Sequence, residues 1–420
     1  MSAVISATTE PPAGEPLAGS APGVWLRATA LAGALSTALA VASGELGLGL
    51  AHRVAAAVAL PVLAAVVVGA LVAYRSLLPI AAAALALTLS SAVLGAAVRA
   101  GVDRISPLHL AVGALAAGAA VGTAVASMRS PHLPAGGWRD YITLTKPRIM
   151  SLLLLTGGAA MVVGASGLPS LVRAAETLVG LGLACGGASA LNHVIDRDID
   201  KLMGSRTSAR PVASGRVPAA QALEFGLALS AASFALLAGA VNLLAACLAL
   251  AGNLFYVFVY TCWLKRSSRH NIVIGGAAGA MPPLVGYAAA TGRLDLVALL
   301  LFLLVFVWTP PHFWALALLL RRHYEEAGVP MLPVVAGSRE TTRQIVLYTG
   351  LLVVVSVIPF ALAGFGVVYL ASAIALGAVF LGLALRLRRE TTPRRAGVLF
   401  HYSLAYLALL FIAAAIAPPL

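Results

Sequence analysis

Charge is what this chain has least of. Asp and Glu together number 15 in 420 residues, all charged residues make up 10%, and there are three cysteines. A soluble domain ordinarily draws on about 25% charged residues to cover its surface, so this composition excludes one. Cys185, Cys247 and Cys262 are too few for a disulfide scaffold and match no metal-ligand spacing; they read as small apolar packing residues. Strand-like alternation of apolar and polar residues is missing as well, which removes a membrane β-barrel.

What is present is hydrophobicity. Sixty per cent of residues are hydrophobic and the mean hydropathy is +0.96, in long apolar runs divided by short polar breaks. Lipid cannot hydrogen-bond to a bare backbone, so runs of this length imply helices, about thirteen of them at roughly 20 residues each. The fold class expected is an all-α polytopic membrane protein.

The net charge of +13 has a topological origin. With Lys and Arg assigned to alternating loops, all but Arg53, Arg99, Arg104, Arg173 and Arg293 fall on one side. By the positive-inside rule that side is cytoplasmic, with the N-terminus inside and the C-terminus outside in a prokaryotic cytoplasmic membrane. A basic balance explained this way gives no reason to expect a nucleic-acid partner.

Residues 1–22 are polar and rich in Ala, Pro and Gly, without a basic region or clear cleavage site, and are expected to be a disordered tail. Three prolines and a Gly pair between 129 and 149 mark a linker and the entry to the next helix. It separates a four-helix membrane domain, 23–128, from a part with nine helices, 150–420.

The scarce acidic residues are not scattered. Asp196, Asp198 and Asp200 fall within five positions of "NHVIDRDIDKLMGSRTSARP", with Asn192 just before them. The i, i+4, i+8 spacing of Asn192, Asp196 and Asp200 drifts only about 40° per step on a helix, so the three share one face. Hard oxygen ligands in that arrangement suit Mg²⁺, which shares its coordination with substrate phosphates. Asp198 points elsewhere, towards Arg197 or Lys201. Lys201, Arg206 and Arg210 follow and supply positive charge for a diphosphate. Carboxylates at the rim of a span are expensive unless they are used.

Four stretches now carry a resemblance: "DYITLTKPRI", "NHVIDRDIDKLMGSRTSARPVASGRV", "YTCWLKRSSRHNIVIGGAAGAMPPLVGYAAATG" and "VWTPPHFWALALLLRRHYEEAGVPMLPVVAG". Together, from about residue 139 onward, they resemble the protoheme IX farnesyltransferase (heme O synthase) family of intramembrane prenyltransferases. The resemblance implies a ring of nine helices round a cavity open to lipid, with Mg²⁺ as cofactor. Its partners would be farnesyl diphosphate, heme B, membrane lipid and, as a protein partner, heme A synthase. Farnesyl would pass from diphosphate to a heme vinyl group with addition of water. The resemblance places Asn192, Asp196 and Asp200 at the metal and Lys146, Arg148 and Lys265 near the diphosphate. It points to His312, His323 and Tyr324 for heme or substrate, and to Glu325 and Glu326 for a second Mg²⁺. There is one departure: relatives usually carry Asp where this chain has His323. Topology anchoring for Lys146, Arg148 and Lys265, and a purely structural role for His312, stay open beside these assignments.

His52 and His109 open two helices of the N-terminal four at matching depth, a geometry suited to the axial ligands of a heme b. "AHR", "AVLGAAVR" and "PLHLAVGALAAG" resemble half of heme A synthase, although Gly49 stands where its catalytic half has Glu. A plain membrane bundle is the alternative. For the whole chain the alternatives are a heme-handling or transport protein and a prenyltransferase acting on a quinone precursor.

Overall fold

Apolar runs that must satisfy their own backbone become helices, and among the described residues the protein has no strand. The structure is a computed structural model that describes residues 24–45, 49–72, 77–99, 106–128 and 137–418. The expected tail, 1–22, and residues 129–136 of the expected linker lie outside the described residues.

Four helices come first: α1 (Val24–Glu45), α2 (Gly49–Val72), α3 (Leu78–Arg99) and α4 (Ser106–Met128). Nine further segments are long and apolar enough to cross a membrane, and the protein is an integral membrane protein. They begin with α6 (Pro147–Gly164), α7 (Leu171–Ile195) and α10 (Ala219–Leu236). Between α4 and α6 lies α5 (Trp138–Thr145); after α7 come two short helices, α8 (Arg197–Leu202) and α9 (Ser205–Ser208). The next span runs from α11 (Leu243–Leu254) through a π-helical stretch, Phe255–Leu264, into α12 (Lys265–Ser267). Then follow α13 (Asn271–Gly279) with α14 (Met281–Thr291), and α15 (Leu296–Leu319). Short α16 (Arg321–Glu326) and α17 (Leu332–Val335) lead to α18 (Gly337–Ala363), α19 (Val367–Arg389) and α20 (Pro393–Ile416).

The expected nine spans after the linker are therefore present. The four before it run 22, 24, 22 and 23 residues, and among the described residues nine helices, all after the linker, are candidate spans by length and hydropathy. α20 returns to pack on α6 and closes the nine into a ring, while α6 also lies along α14. That last pairing depends on a missing side chain: a Cβ on Gly286 would meet the Gly157 carbonyl. Two backbones approach where neither residue holds them apart.

The four N-terminal helices form a bundle that docks on the ring through α10. Val62 and Ala65 pack with Ala231, and the Leu26 N–H donates to Glu224 Oε2 at 3.0 Å. Glu224 is buried at 1% exposure, so a carboxylate of the ring satisfies an end of α1. His52 lies in α2, with its side chain outside the described residues. His109 opens α4 with Nδ1 3.3 Å from Ser91 Oγ, and its ring rests against Gly95.

Candidate functional site

Three backbone features aim side chains at one point. Lys146 joins α5 to α6 in the left-handed region at φ 51°, with Pro147 starting the next helix. A non-glycine there costs about 1–3 kcal/mol, and here it turns the Lys side chain towards α7. α7 ends at Ile195, yet Asp196 N–H still bonds Asn192 C=O at 2.8 Å and Asp200 N–H bonds Asp196 C=O at 2.8 Å. The four-residue ladder thus runs on through the helix end. In the span opposite, the π-helical stretch lets Thr261 Oγ1 donate to Tyr256 C=O, five residues back, at 2.9 Å. Its wide turn presents Thr261 and Lys265 to α7.

The result is a buried, alternating cluster of charge. Asn192, Asp196 and Asp200 are 3%, 0% and 1% exposed. Lys146 Nζ donates to Asn192 Oδ1 at 2.8 Å, and Asn192 Nδ2 donates to Asp196 Oδ2 at 2.7 Å and to Thr261 Oγ1 at 3.2 Å. Lys265 Nζ closes an ion pair with Asp196 Oδ2, and Arg210 Nη1 pairs with Asp200 Oδ1 at 2.6 Å. Asp196 Oδ1 and Asp200 Oδ2 are buried and accept no hydrogen bond. Asp196 Oδ1 has only the Arg266 guanidinium at 3.9 Å, and Asp200 Oδ2 has no hydrogen-bond donor, a costly state for buried carboxylate oxygens.

Electrostatics at the rim follow from this packing. Burial, with Arg210 and Lys265 nearby, brings the Lys146 ammonium down to about 7 against the pull of Asp196 and Asp200. Burial also raises Asp200 despite Arg210. A hydrogen bond from Arg266 brings Asp198 down to about 2. Asp198 does leave the ladder face, but its partner is neither Arg197 nor Lys201. Arg266 grips it with two bonds of 2.7 Å and also donates to Ile195 C=O at 2.8 Å.

Of the residues expected at the site, the fold brings together Asn192, Asp196, Asp200, Lys146, Arg210 and Lys265. Arg148, Lys201 and Arg206 stay exposed on the rim. Glu325 is exposed, and Glu326 is exposed and paired with Arg322 at 2.7 Å. Among the described residues no group of three or more His, Cys, Asp or Glu is placed to hold a metal, the Asp196 and Asp200 pair included. His323 packs its ring on Gly204, and burial pushes the neighbouring Tyr324 hydroxyl up to about 12.

His312 lies two turns inside α15, stacked between Trp308 at 4.3 Å and Phe400 at 4.8 Å. Its Nδ1 is 2.6 Å from Ser403 Oγ, and Ser403 Oγ donates to Phe400 C=O at 2.7 Å. The hydroxyl has one hydrogen, so Nδ1 is the protonated nitrogen and Nε2 keeps its lone pair.

The sequence reading missed Thr261 and His193. His193 is 1% exposed, both its nitrogens lack a hydrogen bond, and Lys146, Arg210 and Lys265 surround it. Its position beside Asn192 was the one available signal. Nothing local marks Thr261, because only the π-helical turn brings it round.

The chain and its fold are similar to known proteins. The UbiA prenyltransferase family model matches residues 152–413. The chain belongs to the UbiA prenyltransferase family. Within it, the chain is 54% identical over 278 residues to a protein of Roseiflexus sp. (strain RS-1) named protoheme IX farnesyltransferase, covering 66% of this chain and 52% of that one. It is 53% identical over 277 residues to a protein of the same name from Symbiobacterium thermophilum, covering 66% and 92%. This UbiA-family chain thus spans about half the length of the Roseiflexus relative and nearly all of the Symbiobacterium one. A solved structure described as digeranylgeranylglyceryl phosphate synthase superposes with a TM-score of 0.56 at 18% identity, over 66% of this chain and 97% of that one. At that identity it supports the fold alone.

Proposed function

We propose that this chain transfers the farnesyl group of farnesyl diphosphate to a vinyl carbon of heme B, with addition of water, giving heme O and diphosphate. One observation carries the reading: two buried carboxylate oxygens that accept no hydrogen bond, Asp196 Oδ1 and Asp200 Oδ2, among the cationic groups of Lys146, Lys265, Arg210 and, at 3.9 Å from Asp196 Oδ1, Arg266. Such a cluster fits a divalent cation and a diphosphate together. The names of the two relatives support heme as the acceptor over a quinone precursor. A heme-handling or transport role has no evident use for the diphosphate cluster.

Asn192, Asp196 and Asp200 would hold Mg²⁺. When bound, Mg²⁺ supplies neutralising charge for a leaving diphosphate. Lys146, Lys265 and Arg210 stabilise the same developing charge, and Arg148, Lys201 and Arg206 attract the anion at the rim. The C1–O bond of the diphosphate breaks, the heme vinyl β-carbon attacks the allylic cation, and water adds to the resulting α-carbon and loses a proton. The apolar packing of the spans keeps water from the cation before the vinyl group reaches it. His312, with its Nε2 lone pair, contacts the heme. The distribution of Lys and Arg puts this site at the cytoplasmic side, with the N-terminus inside and the C-terminus outside.

The test is incubation of the full chain in detergent with heme B, farnesyl diphosphate and Mg²⁺, following heme products by mass. The expected product is heavier than heme B by a farnesyl and a hydroxyl group, and is lost with chelator and in Asp196→Ala. Heme bound but unchanged would favour a heme-handling role.

A further inference from the structure

The metal-ligand oxygens of the cluster are already engaged by cationic side chains before any substrate arrives. Asp196 is covered on Oδ2 by Lys265, Asp200 on Oδ1 by Arg210, and the Asn192 Oδ1 by Lys146. Each of these three donors sits on an oxygen of a residue that would hold the metal. A divalent ion entering alone meets three cations in a site of low dielectric, and a diphosphate entering alone meets two buried carboxylates. Either arrival leaves buried charge uncompensated.

The tethers of the cations differ in a way that matters. Lys146 and Lys265 each reach one side-chain oxygen with a terminal ammonium on a flexible stem, and can turn without breaking other bonds. Arg266, by contrast, is fixed by two bonds to Asp198 and a third to the Ile195 carbonyl. Two oxygens, Asp200 Oδ2 and Asp196 Oδ1, the latter with only Arg266 Nη2 at 3.9 Å, accept no hydrogen bond and give a cation its first foothold.

We propose that Lys146, Lys265 and Arg210 are exchangeable counter-ions. Each passes from a metal-ligand oxygen to a diphosphate oxygen when metal and diphosphate enter together, so that each binds weakly alone and tightly in company. The proposal rests on the metal reading above and adds how binding is coupled. Reciprocity requires that metal strengthen diphosphate binding by the same factor.

The test counts Mn²⁺ bound to the full-length protein in detergent by equilibrium dialysis, with and without inorganic diphosphate, at equal free Mn²⁺. Lys146→Met comes first, since it leaves no carboxylate unpaired; Lys265→Met is the second variant, with thermal unfolding of both as a check on folding. The wild type is expected to bind Mn²⁺ at least ~10-fold more tightly with diphosphate, within the usual range of coupling between sites. Both variants should bind Mn²⁺ alone more tightly than wild type and gain less from diphosphate. Equal wild-type affinity under both conditions overturns the exchange while the metal reading stands. So does a pair of folded variants that bind Mn²⁺ alone no better than wild type. Failure of wild type and Asp196→Asn alike to retain Mn²⁺, with or without diphosphate, removes the metal reading itself.

Discussion

Leu26 and Glu224, 198 positions apart, meet where the first helix of the N-terminal bundle rests on the ring, the Leu26 N–H giving its hydrogen to the glutamate at 3.0 Å. Buried at 1% exposure, that carboxylate cannot be replaced by water without reopening the contact. Glu224→Ala should leave the N–H unsatisfied at a cost of about 1–3 kcal/mol. Hydrogen exchange should show it as faster exchange at the start of α1, with slow exchange kept in α15. Unchanged exchange in α1 would mean that apolar packing alone holds the bundle.

The two neighbouring aspartates should behave very differently. Asp196 is wholly buried in the cluster, whereas the Asp198 side chain is 60% exposed and held by Arg266. Asp196→Asn is expected to lower heme O formation by about 10³-fold, the scale of losing a key electrostatic group. Asp198→Asn should change it by no more than a few-fold, as exposed pairs contribute about 0–1 kcal/mol. The same heme mass assay measures both, and equal losses would sink the assignment of separate roles.

Ser403 sets the tautomer of His312 by accepting from Nδ1. Ser403→Ala frees that nitrogen and lets the proton move to Nε2. Heme B affinity, followed by its absorption band, should fall several-fold in Ser403→Ala and further in His312→Ala, while diphosphate binding is unchanged. If His312→Ala binds heme as wild type does, the histidine serves packing only.

Gly286→Ala tests the close approach of α6 and α14. The added methyl would meet the Gly157 carbonyl, which is backbone and cannot turn aside. Overpacking of this kind costs about 1–3 kcal/mol, so thermal unfolding in detergent should begin several degrees lower. Gly279→Ala, where a Cβ meets nothing within 4 Å, should leave the transition in place.

Much of this was legible in the chain. Span after span is marked by composition, because lipid forces each apolar run to satisfy its own backbone. The ladder of Asn192, Asp196 and Asp200 follows from helical periodicity, which is local. The uneven spread of Lys and Arg is local for the same reason, since each loop carries its own charge. Span ends were less legible: α18 starts at Gly337, with Arg339, Glu340 and Arg343 already helical beyond the apolar stretch that hydropathy sees.

Which charges meet is a different matter. Lys265 and Arg266 reach Asp196 and Asp198 from a span 68 to 69 positions away, and only closure of the ring selects them over the nearby Arg197 and Lys201. Thr261 joins them because a π-helical turn rotates it, and Glu224 finds α1 because two helical bundles dock. The sequence by itself determined the helices, their faces and the residue types for a metal and a diphosphate. Tertiary structure decided the pairing, because burial makes each unpaired charge costly and leaves one arrangement in which nearly all are matched.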